Sequence, residues 1–275
     1  MYCQRFGLTG HPLPKDAQGK TFFDKSTGFK KLERAFRQLV ADPGVGVLTA
    51  DAGVGKTAAL RHLCAQLPKP DYLVLYLCAA VGPFDFYRAL ALELGLRPAH
   101  RRAELWASLK KSLLHLVDER GIAPILILDE AQHLSDTFFI DLSAFLNFAF
   151  DSRDLLTLWL VGLPPLARHL RMQQHAPLAM RIVHYLHLEP LYREAFSAMI
   201  DHAFKVVGAT QNILADSARE LLFRASRGLP RVAAHLLHRA LYEAHERNQN
   251  FIDDHTMEAA IDQSQIGRAS CRERV

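Results

Sequence analysis

Hydrophobic and polar positions follow two different periods along this chain, and the switches between them mark its elements. In GFKKLERAFRQLV (28–40), Phe29, Leu32, Ala35, Phe36 and Leu39 fall on one face at helical spacing. VGVLTA (45–50) is a short apolar run entering a glycine-rich turn, the pattern of a buried strand. KTAALRHLCAQL (56–67) reads as a helix stopped by Pro68. YLVLYL (72–77) reads as a second buried strand, followed by helical stretches at about 83–95 and 103–120. PILILDE (124–130) is a third strand ending in two carboxylates. SDTFFIDLSAFLNFAF is helical, with Ser135 the expected N-cap. LTLWLVG (156–162) is a fourth strand, and a helix near 164–174 precedes the fifth, RIVHYLHL (181–188).

Strands separated by helix-length segments require parallel crossovers, which predicts an open α/β fold with a five-stranded parallel sheet. After Pro190 no strand-like run survives. The helical stretches 192–207, 214–226, 230–247 and 253–264 predict a small all-helical domain. The expected organisation is an N-terminal arm and helix (1–44), an α/β domain (45–190), a helical domain (191–265) and a tail (266–275). The tail, with GRASCRERV, has no periodicity and reads as foreign to the fold.

The turn after the first strand is ADAGVGKT, close to the phosphate-binding pattern G-x-x-x-x-G-K-S/T, with Ala50 where the first glycine belongs. Gly53 and Gly55 let the backbone turn its N–H groups into one cavity. Lys56 reaches toward the β- and γ-phosphates, and Thr57 is a Mg²⁺ ligand candidate. The candidate nucleotide contacts are Ala50, Gly53, Val54, Gly55, Lys56, Thr57 and Ala58. Asp129, at the end of the third strand, is the second candidate Mg²⁺ ligand, and Glu130 can polarise an attacking water. That pair argues for hydrolysis over phosphoryl transfer to a small acceptor. The lack of an N-K-x-D guanine-reading segment favours ATP, so ATP and Mg²⁺ are the expected cofactors.

Two arginines carry a candidate role on a transferring phosphoryl group: Arg181, before the fifth strand, and Arg231, after Pro230. From spacing alone each also fits a surface ion pair. RPAHRRAELWASLKK gathers Arg97, His100, Arg101, Arg102, Lys110 and Lys111, which suits either DNA-phosphate contact or a solvated helix face.

Composition narrows this only a little. A net charge of +4 permits nucleic-acid binding without demanding it. The four cysteines show no C-x-x-C spacing, which predicts reduced thiols and no zinc site. Among the histidines, His184 and His187 stand at i, i+3 in a strand and face opposite sides, and His235/His238, which could share a helix face, has no evident third ligand. No apolar run reaches the roughly 18 residues of a membrane helix, and the N-terminus lacks a signal-peptide core. The expected location is the cytoplasm.

Together FGLTGHPL, ADAGVGKT, ILILDEAQHL, LTLWLVGLPPL, LAMRIVHYLHLEPL and SRGLPRVAAHLL resemble the AAA+ ATPases over most of the chain. Within them the chain resembles the transposition helpers of the TniB, TnsC and IstB kind, with the related ExeA-like secretion ATPases. The resemblance implies that Lys56 and Thr57 are Walker A residues and that Asp129 and Glu130 are the Walker B pair. It also implies that Arg181 is an arginine finger given to a neighbouring subunit, that Arg231 is a second sensor, and that GLTGHPL packs near adenine. The function it implies is an ATPase that assembles on double-stranded DNA as a ring or filament and directs a transposase or integrase. Its turnover would be slow and stimulated by DNA and oligomerisation. The rival is an ExeA-like secretion-assembly ATPase, set second because such proteins continue into a membrane segment and a wall-binding domain. A nucleotide switch with negligible hydrolysis is a further alternative, kept open by Leu163, which stands where relatives carry a polar first sensor.

Overall fold

The computed structural model describes residues 2–78, 82–148 and 152–264. The expected tail, 266–275, lies outside the described residues. The chain runs through α1 (Tyr2–Arg5), α2 (Thr27–Ala41), β1 (Val45–Ala50), α3 (Lys56–Ala65), β2 (Tyr72–Cys78), α4 (Pro83–Glu93) and α5 (Arg102–Asp118). It continues through β3 (Ala123–Asp129), α6 (Asp136–Phe145), β4 (Thr157–Gly162), α7 (Pro165–Leu170), α8 (Ala176–Ala179) and β5 (Ile182–Leu188). The last helices are α9 (Arg193–Val206), α10 (Asp216–Ser226), α11 (Pro230–Glu246) and α12 (Asp254–Asp262). These elements gather into two compact units. One comprises Gly28–Asp51 and Ala59–Leu188; the other comprises Met1–Thr27, Ala52–Ala58 and Glu189–Val275.

The first unit holds the sheet, five parallel strands in the order β2-β3-β4-β1-β5. β1 and β4 are buried along their whole length and β3 nearly so. Their unbroken apolar runs are those of parallel strands covered on both faces. β2 departs from the expectation of a buried strand. It lies at the sheet edge, where Val74 and Tyr76 are exposed and Leu75 is buried. An apolar run states that a segment is extended, but neighbours on both sides decide whether it is covered. β5 is the other edge strand and alternates in burial.

α2 lies tightly on this sheet. A Cβ on Gly46 would stand 2.7 Å from the Trp159 ring and 2.8 Å from Leu39, so only glycine admits that approach. Phe36 stacks on Trp159, and the Thr157 hydroxyl donates to the Leu39 carbonyl at 2.6 Å. An aromatic cluster of Phe86, Tyr87, Trp106, Phe138 and Phe145 joins α4, α5 and α6. Ser135 caps α6 as expected, accepting from the Phe138 N–H at 3.2 Å.

The second unit is helical, built on α9 to α12, with Phe196, Ile200, Leu222, Leu237, Leu241 and Met257 in its core. The residues taken from the sequence as one segment, 1–44, part company after Thr27. The N-terminal arm contributes Tyr2, Phe6 and Leu8 to the helical core, while α2 from Gly28 onward belongs with the sheet. Thr9 fastens the arm, its N–H donating to the Val207 carbonyl at 2.9 Å.

Candidate functional site

All five strands are parallel, so β1 and β3 end at the same edge of the sheet, separated by β4. β1 ends in Ala50 and leads into the glycine-rich loop; β3 ends in Asp129, followed by Glu130. The loop takes two left-handed residues, Gly53 at φ +88° and Gly55 at φ +109°, conformations that side chains oppose. Ala50 lies before them as a strand residue paired with Leu188, outside the left-handed region. The missing first glycine therefore costs no backbone strain. After Val54 and Gly55 the helix α3 begins, with Lys56, Thr57 and Ala58 forming its first turn. A helix start directs backbone N–H groups and the positive end of the dipole outward, the arrangement that suits phosphate.

Within the helical unit the loop is fixed to α11. The Arg231 N–H donates to the Gly53 carbonyl at 3.2 Å, and a Cβ on Gly53 would come within 3.2 Å of the Arg231 Cβ. The sequence singled out Arg231 for its side chain; its backbone also holds the loop.

At the end of β3 the Asp129 carboxylate is buried and doubly engaged. Tyr76 on β2 donates its hydroxyl to Oδ2 at 2.9 Å, and the Glu130 N–H donates to Oδ1 at 2.9 Å. Although Tyr76 as a whole is exposed, desolvation of its hydroxyl first, and the bond to Asp129 second, raise the phenol well above its usual range, so it stays a protonated donor. Partners of this kind fix the orientation of a carboxylate, which suits Asp129 to the metal-ligand role expected of it. Glu130 adopts φ 56°, ψ 33°, a left-handed conformation unusual for a residue with a side chain. Its Oε2 accepts from Gln132 Nε2 at 2.7 Å, and Gln132 Oε1 accepts from the Leu163 N–H at 3.0 Å. Tyr76 and Gln132 are the site residues that sequence reasoning missed. Gln132 lies two positions beyond the carboxylate pair, and that proximity was the available signal.

Arg181 precedes β5, and Ile182 pairs with Val45 at the start of β1. The arginine therefore sits at the sheet edge opposite Ala50 and Asp129, as its place in the sequence predicts. Its side chain is 17% exposed, lies 3.7 Å from Asp154, and lines a cavity of about 340 Å³ with Phe139, Ser143, Asn147 and His175. In the basic segment, Arg97, His100, Arg101 and Arg102 are all exposed. Arg102 pairs with Asp141 and lies 5.3 Å from the Trp106 ring centre, and Arg101 comes within 3.9 Å of Glu104. Lys110 donates to the Asn147 carbonyl at 2.7 Å and lies 4.9 Å from the Phe148 ring centre.

One cluster has ligand-type side chains that the sequence did not group: Asp136, His169 and His175. Both imidazole Nε2 atoms approach the same Asp136 oxygen, at 2.5 and 2.9 Å. Donors sharing a tetrahedral ion at zinc distances stand about 3.3 Å apart. The observed spacing is that of hydrogen bonds, first from His169 and then from His175, which hold the Asp136 carboxyl below its usual range.

Residues 40–170 match the family model described as an AAA domain. Over 259 residues the chain is 30% identical to General secretion pathway protein A of Aeromonas hydrophila, covering 92% of this chain and 46% of that protein. The chain thus spans about half the length of that relative. It is similar in structure to the Aeropyrum pernix ORC2 protein in ADPNP–ADP complexes, with a TM-score of 0.70 at 14% identity over 92% of this chain and 71% of that one. It also resembles the Thermotoga maritima RuvB Holliday junction branch migration motor, with a TM-score of 0.61 at 18% identity over 92% of this chain and 73% of that one. At such identities these structures establish the fold, the AAA+ arrangement of a parallel sheet flanked by helices with further helices after it. No helix among the described residues is long and apolar enough to cross a membrane.

Proposed function

We propose that this chain, which carries an AAA domain of the P-loop ATPase kind over residues 40–170, is the ATP-hydrolysing module of a secretion-assembly protein. The observation that carries hydrolysis is the shared sheet edge, where β1 leads into the loop of Gly53, Gly55 and Lys56 and β3 ends in Asp129 and Glu130. The secretion setting is supported by the likeness to General secretion pathway protein A across 92% of the chain. This reverses the order reached from the sequence, which set the transposition helpers first. The lack of a membrane segment weighed against secretion there, and that argument loses its force for a chain spanning 46% of the relative. The pairing of Arg102 with Asp141 offsets one charge of the proposed DNA-binding face and favours the solvated-helix reading of that segment.

Bound ATP would supply the phosphoryl group, and Mg²⁺ would neutralise its developing charge. The loop N–H groups and Lys56 would hold the phosphates, and Thr57 and Asp129 would be the metal ligands. Tyr76 keeps Asp129 oriented. Glu130 takes the proton of the attacking water. Arg231 fixes the loop to α11 within the helical unit. Arg181, at the opposite sheet edge, serves the phosphates of a second copy of the chain, which makes the working form a homo-oligomer.

The test is a pair of variants. Lys56→Ala should abolish binding of labelled ATP, because the loop loses its cation. Glu130→Gln should bind ATP as wild type does and release no phosphate. Binding that survives Lys56→Ala, or turnover that survives Glu130→Gln, refutes the assignment. In cells, Lys56→Ala should impair export across the envelope; intact export with reduced transposition would restore the first reading.

A further inference from the structure

Gln132 is placed by three independent features. Its Oε1 lies 3.0 Å from the Leu163 N–H, its Nε2 lies 2.7 Å from Glu130 Oε2, and the space it fills exists because residue 162 is glycine. A Cβ on Gly162 would stand 2.5 Å from Gln132 Oε1 and 3.3 Å from its backbone nitrogen. The chemistry of the neighbours fixes the orientation of the amide. An N–H needs an acceptor, so the oxygen faces Leu163; a carboxylate only accepts, so the NH₂ faces Glu130. Both demands give the same orientation. A solvated surface glutamine would satisfy neither and would need no glycine opposite it.

We propose that Gln132 is a positioning residue for ATP hydrolysis, bridging the Glu130 carboxylate to the backbone at the end of β4. The proposal rests on the hydrolytic reading above and deepens it. Glu130 follows β3 in a left-handed turn, and its side chain has several rotamers to choose from. The Gln132 amide selects one and ties it to Leu163, whose own side chain is apolar. No proton passes through the amide; it holds the base that takes one.

Three variants of the full 275-residue chain test this. Gln132→Glu keeps an oxygen for the Leu163 N–H but cannot donate to Glu130. Gln132→Ala removes both arms. Gly162→Ala displaces the side chain from outside. ATP affinity and kcat are measured separately, and hydrogen exchange at the Leu163 amide is followed by NMR without nucleotide. In all three, kcat should fall roughly 10- to 100-fold, the value of a hydrogen bond to a charged group. ATP affinity should stay within about two-fold, because the bond acts on the catalytic step. Leu163 should lose protection in Gln132→Ala and Gly162→Ala and keep it in Gln132→Glu. The Gln132→Ala/Gly162→Ala double variant should be no slower than the worse single one, since both remove the same contact. Wild-type kcat in Gln132→Glu, an ATP affinity that falls in step with kcat, or losses that multiply in the double variant would each overturn the proposal. A wild-type chain that binds ATP without turning it over refutes the hydrolytic reading, and the role given to Gln132 falls with it.

Discussion

Restoring the phosphate-loop consensus by Ala50→Gly should weaken this protein without improving its nucleotide site. Ala50 is fully buried at the end of β1, paired with Leu188 of β5. Its φ is not positive; among the described residues the non-glycines with positive φ are Glu130, Arg227 and Asn248. Glycine would therefore relieve nothing. Removing the buried methyl forfeits about 0.8 kcal/mol of burial, and the added freedom of the unfolded chain costs about 0.5–1 kcal/mol. Together these give a loss of about 1.5 kcal/mol, or a fall in Tm of about 3–6 °C for a chain of this size. Urea denaturation of the two proteins measures the loss, and a labelled-ATP titration should show affinities within about two-fold of each other. The loop conformations that phosphate requires lie at Gly53 and Gly55, beyond the substitution. A variant as stable as wild type, or one that binds ATP tenfold more tightly, would show that the first loop position governs the cradle and that this reasoning is wrong.

Gly228→Ala should be severe: Gly228 has φ +72°, its Cβ would stand 2.2 Å from the Leu191 carbonyl oxygen, and its own carbonyl accepts the Leu191 N–H at 3.0 Å. Left-handed strain, the backbone clash and the strained bond together cost about 3–4 kcal/mol, and a loss below about 1 kcal/mol in urea denaturation would contradict this. His11 has its pKa lowered to about 4, by burial first and by His238 second. An unfolded histidine titrates near 6.5, so the unfolded chain binds more protons between these values. Stability is then complete above about pH 6.5 and is lost as pH falls toward about 4, by about 1–2 kcal/mol after discounting for a half-exposed ring. Urea midpoints for His11→Asn should fall less over that window than those of wild type; equal slopes would remove His11 as the cause. Arg181→Ala should bind ATP normally and hydrolyse it far more slowly, since an arginine supplied in trans is worth roughly 10³–10⁵ in rate. Mixed with Lys56→Ala it should recover activity, and co-assembly without recovery would reduce Arg181 to a partner of Asp154.

The order of strands and helices was legible because each buried strand is an apolar run closed by a motif or a turn. VGVLTA ends at the loop, ILILD at its carboxylates, and LTLWLVG before Leu163-Pro164. The N-cap of α6 was legible because a serine cap acts within a few residues. Edge or centre was not: YLVLYL and LTLWLVG are similarly apolar, and only pairing across the sheet tells that β2 has one neighbour and β4 has two. Ion pairing within the basic segment was equally hidden, because Arg102 meets Asp141 across two helices. The loop lysine and the strand-end carboxylates could be found because their chemistry is tied to local geometry. Tyr76 and Gln132 act on them through hydrogen bonds to residues distant in sequence, Tyr76 to Asp129 and Gln132 to Leu163. The Asp136–His169–His175 group was hidden for the same reason.

The chain passes between its two compact units after Thr27, after Asp51, after Ala58 and after Leu188. The helical part is therefore not a cassette that recombination could exchange by a single crossover. A chimera that replaced everything after Leu188 would keep the old N-terminal arm and the old loop. Thr9 would then meet a foreign residue in place of Val207, and Gly53 a foreign residue in place of Arg231. A working exchange must carry the arm, the loop and the C-terminal helices together. Shuffling of such proteins should favour donors that already match at Gly53 and Thr9, and in other donors it should separate binding of the nucleotide from whatever the helices report.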